Sequence, residues 1–226
     1  MGAAAKSLDP DQGSKANGMA TYAVLGMNFG AASSKTGIPP PESAMSSAIH
    51  PRLSHCGIYV KDVGKQVEFY TRVLGLVVSD RGVSERLGNE LAFLTAAADH
   101  HHQVVFISGR APQDATTVNQ LSFKVGSLEE LKAMYRRVRD AGVSDIRQVN
   151  HGNALSFYLM DPEGNGIEVY MDTPWYVPQP HGAPIDLSLS SAQIMEQAER
   201  HCRETPGFMT HDAWQAEVTS KLEHRH

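Results

Sequence analysis

The chain has 226 residues, with 20 Lys and Arg against 25 Asp and Glu for a net charge of −5, and 41% hydrophobic residues. That length supports one well-buried domain with tails or two small domains, and the lack of a basic surplus argues against a surface that tracks nucleic-acid phosphates. Arg136, Arg137 and Arg139 form the densest basic group and read as a solvated helix face. Cys56 and Cys202 are far apart and lack metal-type spacing, as in a reducing cytoplasm. No apolar run is long enough to span a membrane and no leader-like segment opens the chain. The expectation is a soluble cytoplasmic protein with neither nucleic acid nor membrane as a partner.

Residues 1–50 are rich in Ala, Ser, Gly and Pro, include GIPPPES and keep no sustained period, which predicts a disordered N-terminal arm. Order is expected from LSHCGIYV (53–60), a strand. Asp62 then caps a helix whose apolar stripe is Val63, Val67, Tyr70 and Leu74 and which Gly75 closes. LVVSDRG, ELAFLTA and HQVVFISG read as three further strands. From residue 118 the same order returns: VNQLSFKV as a strand, a Ser127-capped helix with Leu128, Leu131, Tyr135 and Val138 on one face, then VSDIRQVN, ALSFYLMD and GIEVYMDT. Tyr70, Arg72 and Val73 stand 65 positions before Tyr135, Arg137 and Val138, so a βαβββ unit is duplicated. DPEGNG has the chemistry of a tight connection, with Asp161 as a turn residue. After the Pro-rich PWYVPQP, SAQIMEQAERHCRE and HDAWQAEVTSKLEH predict two helices, the second capped by Thr210. The expected organisation is an arm (1–50), a core (51–176) built of units near 53–109 and 118–173, and a helical C-terminal extension (177–226).

Opening on SHCGIYVKDV…EFYTRVLGL and closing on DPEGNGIEVY, residues 53–173 resemble the vicinal oxygen chelate superfamily of glyoxalases, bleomycin-resistance proteins and type I extradiol dioxygenases. The resemblance implies an α+β fold in which tandem βαβββ units curl a mixed sheet around a metal. It places metal ligands at His55, Glu168 and position 120, where Gln120 stands instead of the histidine of the Fe(II) dioxygenases. Glutamine is the weaker ligand for Fe(II), which leaves Mn(II), Zn(II) or Ni(II) open beside the favoured Fe(II). The counterpart of Glu168 in the first unit is read as Val104, which supplies no carboxylate base for a glyoxalase.

The run His100, His101, His102 looks at first like a metal trap, but successive side chains of a strand point to opposite faces. The resemblance instead gives His102 the acid–base role, on the cavity side with Val104, while His101 faces away and His100 is solvated. It also implies that Tyr158 and His151 hold the substrate's oxygens. The function expected is extradiol cleavage of a catechol-like diol with dioxygen. The rivals are a metal-dependent lyase, isomerase or epimerase and a metal-free binding protein of the bleomycin-resistance type. Half-barrels of this kind often complete contacts between subunits, so a homo-oligomer is a further expectation.

Overall fold

The computed structural model describes residues 51–224, so the expected N-terminal arm lies outside the described residues. In the first unit β1 (Cys56–Val60) leads to Asp62, whose side chain accepts the Lys65 N–H and starts α1 (Val63–Phe69). The last turn of that helix widens into a π-turn over Tyr70–Leu74, and β2 (Val77–Val83), β3 (Glu90–Thr95) and β4 (Val104–Ser108) follow. The second unit repeats the plan with β5 (Leu121–Lys124), α2 (Leu128–Asp140), β6 (Arg147–Asn150), β7 (Ala154–Met160) and β8 (Gly166–Asp172). Ser127 caps α2 by accepting the Glu130 N–H. This is the expected α+β architecture of tandem βαβββ units.

Each unit makes its own sheet, in the orders β1-β4-β3-β2 and β5-β8-β7-β6. Within each, the first and last strands pair in parallel and the rest are antiparallel. Cys56 lies opposite Val104, and its 65-residue counterpart Leu121 lies opposite Ile167. The pairing therefore makes Val105, not Val104, the counterpart of Glu168. Val104 and Phe106 point into the hydrophobic core, whereas Val105 shares its face with Gly57 and Ile107. Both candidates are valine, so this position still lacks a carboxylate.

The helical faces of both sheets bury one continuous core, in which Tyr70 and Phe106 meet edge to face at 4.8 Å. The turn between β7 and β8 ties the units together, and Asp161 does more there than turn the chain. It accepts the Tyr70 hydroxyl at 3.2 Å and the backbone N–H groups of Glu163 and Asn165. Burial first, then the Asp161 charge, push the Tyr70 phenol far above its ordinary range and keep it a donor. Glu163 accepts from the backbone N–H of Lys61 and of Asp62, each at 2.8 Å, and pairs with Arg110 at 2.7 Å.

The extension is built onto the second unit. Its β10 (Ala183–Pro184) adds a fifth strand beside β6, and β9 (Trp175–Tyr176) pairs with β11 (Met209–Thr210). Helix α3 (Ser191–Glu204), opened by a Ser190–Gln193 capping box, buries Ile194, Ala198 and Cys202. Helix α4 (His211–Glu223) is capped by Thr210 as expected but buries no residue; its Trp214 stacks on Tyr176 at 5.6 Å. Among the described residues no helix is long and apolar enough to cross a membrane.

The Arg110–Glu163 pair has side chains only 8% and 6% exposed. Removing one partner of such a pair strands a buried charge and costs about 3 kcal/mol or more. Glu163→Ala is therefore expected to lower unfolding stability by that amount in a denaturant titration; a loss below about 1 kcal/mol would show that the clamp is not stabilising.

Candidate active site

On the concave face of the second unit, strand register sets four polar side chains in one transverse row. Ser122 lies beside Glu168, Glu168 beside Tyr158, and Tyr158 beside Arg147. Glu168 is only 8% exposed. Its Oε2 accepts from Ser122 Oγ at 2.7 Å and from Gln120 Nε2 at 2.9 Å, while its Oε1 accepts the Tyr158 hydroxyl at 2.5 Å. Gly166 is what lets β5 and β8 close up here, because a Cβ at that position would stand 2.0 Å from the Asn119 carbonyl oxygen.

Tyr158 continues the string to His151, whose Nε2 lies 2.7 Å from the phenol oxygen. The other ring nitrogen, Nδ1, faces the His181 carbonyl at 2.7 Å. A carbonyl only accepts, so Nδ1 carries a hydrogen, and His151 Nε2 and Glu168 Oε1 compete for the single Tyr158 hydroxyl hydrogen. Burial, then hydrogen bonding to Glu168 and its charge, push the Tyr158 phenol well above its usual range, with Ser156 and Arg147 pulling the other way. The extension thus orients a site residue: it supplies the His181 carbonyl, and Gln179 donates to the His151 carbonyl at 2.7 Å.

The first unit carries imidazoles instead. The rings of His55 and His102 lie 4.3 Å apart, and Phe93 packs edge-on against His102 at 5.2 Å. His102 lies in the turn before β4, so its direction comes from that turn rather than from strand alternation. His101 does not face away: its Nδ1 is 2.9 Å from His102 Nδ1 and its Nε2 is 2.7 Å from Asp80. With both rings neutral, the carboxylate requires hydrogen on His101 Nε2, His101 Nδ1 then accepts from His102 Nδ1, and His102 Nε2 keeps a free lone pair. Burial, then the charges of His55 and His101, hold His102 below the ordinary histidine range and favour that neutral form. His100 is exposed and bonded to Asp99 at 3.0 Å.

His55 and Gln120 each sit one residue before their strands, β1 and β5. Both line a largely apolar cavity of 670 Å³, together with Cys56, Val104, Ser122 and Phe123. Gln120 is the link between the two halves, since it also hydrogen-bonds Glu168. It further lines a smaller cavity of 270 Å³ with Tyr158, Arg147 and Asp145. No described contact joins His55 to Glu168 directly.

The donors suit a divalent ion in kind. Glu168 is a buried carboxylate held by neutral donors, and the nearest group able to carry positive charge is His151 Nε2 at 4.0 Å. Such a carboxylate is short of a compensating cation. Imidazole, carboxylate and amide oxygen together are an N/O set that Fe(II) or Mn(II) accepts. Among the described residues no three His, Cys, Asp or Glu side chains converge, and the Gln120 amide turns its Nε2 to Glu168.

The paired parallel-edged βαβββ units define a class of half-barrel folds, and comparison with known proteins names it. Residues 52–169 match the family model of the Glyoxalase/Bleomycin resistance protein/Dioxygenase superfamily, and the chain belongs to that superfamily. It is 28% identical over 129 residues to biphenyl-2,3-diol 1,2-dioxygenase 3 of Rhodococcus globerulus, a match covering 55% of this chain and 65% of that enzyme's length. It is also 28% identical over 126 residues to glutathione transferase FosA of Serratia marcescens, covering 53% of this chain and 79% of that protein. Among solved structures, a glyoxalase/bleomycin resistance/dioxygenase domain from a Frankia species has a TM-score of 0.48 at 17% identity, covering 59% of this chain and 96% of that one. Fosfomycin resistance protein FosX of Listeria monocytogenes, with Mn(II) and sulfate, has 0.42 at 21% identity, covering 55% and 95%.

Sequence reasoning missed Asp80, Arg147 and the histidine pair of the extension. The parity of IRQVN could have flagged Arg147, which shares its face with Val149. His181 and His201 meet Nε2 to Nε2 at 3.2 Å. Burial, then the charges of His201 and His151, lower the His181 pKa, so folding holds that ring neutral. Its contribution is complete above the unfolded value of about 6.5 and is lost as pH falls through the lower folded value. The thermal midpoint is expected to drop between pH 7.5 and 5.5 by less in His201→Asn than in the native chain; equal drops would show that the pair is not coupled to folding.

Proposed function

We propose that this protein is a non-haem Fe(II)-dependent extradiol dioxygenase that opens the ring of a catechol-like diol with dioxygen. The observation that carries the reading is the hydrogen-bonded string Glu168–Tyr158–His151 on one unit, with the His55–His102 pair on the other. In this reading His55, Glu168 and the Gln120 amide oxygen hold the metal. Fe(II), when bound, supplies positions for the two vicinal oxygens of the diol and for dioxygen.

The remaining chemistry belongs to the chain. Tyr158, kept protonated, and His151, fixed in its tautomer, hold and exchange a proton at the diol oxygens. His102, neutral and with Nε2 free, takes a proton and returns it on the dioxygen side. Phe93 presents an apolar edge to the His101 and His102 rings. Valine at position 105 counts against a glyoxalase-type isomerase, which needs a second carboxylate there.

The test is anaerobic purification, loading with Fe(II) and addition of catechol or 2,3-dihydroxybiphenyl in air. One dioxygen consumed per diol, with the yellow ring-opened product, is the expected result. His102→Ala should lower kcat by about 10²- to 10⁴-fold with little change in KM. Absence of oxygen uptake by the Fe(II)-loaded native chain overturns the dioxygenase reading, and unchanged turnover in His102→Ala removes that residue from the proton path.

A further inference from the structure

The geometry points to Arg147 as the residue that selects a diol bearing an anionic oxyacid group, such as a ring carboxylate. This inference rests on the dioxygenase reading for its diol, but on Arg147 alone for its charge. The guanidinium lies over the Tyr158 ring, its carbon 4.5 Å from the ring centre, and the two residues are direct cross-strand partners. It is thus within one ring's length of the hydroxyl that bonds Glu168, a distance a substituted aromatic diol spans.

Stacking engages the flat face of a guanidinium and leaves its N–H edges available, and those edges match a carboxylate in bidentate fashion. Among the described ion pairs none involves Arg147. Arg147 and Tyr158 line the 270 Å³ cavity that Gln120 shares, and Tyr158 and Gln120 both hydrogen-bond Glu168, so an anion on Arg147 lies beside the side chains that hold that carboxylate. The one acidic side chain in that lining, Asp145, is exposed and makes no described pair with Arg147. It opposes the selection, since a carboxylate in that lining competes with an incoming anion for the guanidinium.

Equilibrium binding by calorimetry under anaerobic conditions tests this without turnover, using 3,4-dihydroxybenzoate, catechol and benzoate on the full chain loaded with Fe(II). The native chain is expected to bind the dihydroxybenzoate about 10- to 100-fold more tightly than catechol, the range of a charge-assisted hydrogen bond. Arg147→Met, which keeps the stem over the ring, should bring that ratio to near one. Arg147→Lys should retain part of it, and Asp145→Asn should raise it. A native ratio of one or less, or a ratio unchanged in Arg147→Met, overturns the inference. Benzoate separates the two claims: if it binds the native chain and not Arg147→Met while neither diol exceeds it, the anion site stands and the diol reading falls. If no compound binds, both fall.

Discussion

Everything in the site depends on the parallel pairing of the first and last strands within each unit. Parallel neighbours need a long crossover, and in the second unit that crossover, α2 with β6 and β7, separates Ser122 from Glu168 by 46 positions while the ladder sets them side by side. Only that pairing lets a hydroxyl and an amide from β5 and its lead-in hold a carboxylate on β8. The backbone contact that Gly166 permits fixes how closely they meet. A one-residue slip would turn Glu168 into the core and bring Ile167 or Val169 to the concave face.

The duplication conserves this frame and divides the chemistry. Corresponding rows read Gly57, Val105, Phe93 and Asp80 in one unit, and Ser122, Glu168, Tyr158 and Arg147 in the other. One row is apolar up to Asp80 and bordered by imidazoles; the other gathers a carboxylate, a phenol and a guanidinium. Two identical polar faces would place like charges together in one half-barrel, whereas the unequal pair puts imidazoles on one unit and a buried carboxylate on the other. The Glu163 clamp and the shared core hold the two faces in one body.

Much of this was legible because the relevant signals are local. Asp62, Ser127 and Thr210 cap the helices that their positions predict, and the 65-residue echo carries over into strand pairing. What escaped depends on contacts between distant segments. Strand alternation sends His101 to the wrong side because that residue lies in a turn, and spacing alone does not separate Val104 from Val105, which the ladder register does. Asp161 looked like punctuation, yet its partner Tyr70 is 91 positions away. The carbonyl that sets the His151 tautomer comes from the extension, whose helices carry no chemical signature in sequence.

The central claim is that both units serve one metal through His55, Gln120 and Glu168. X-ray absorption at the iron edge of the Fe(II)-loaded protein tests it most directly. The account predicts one imidazole among otherwise oxygen ligands, rising to two in Gln120→His. No imidazole in the native chain, or an iron environment that Glu168→Gln and Gln120→His both leave unchanged, would contradict it.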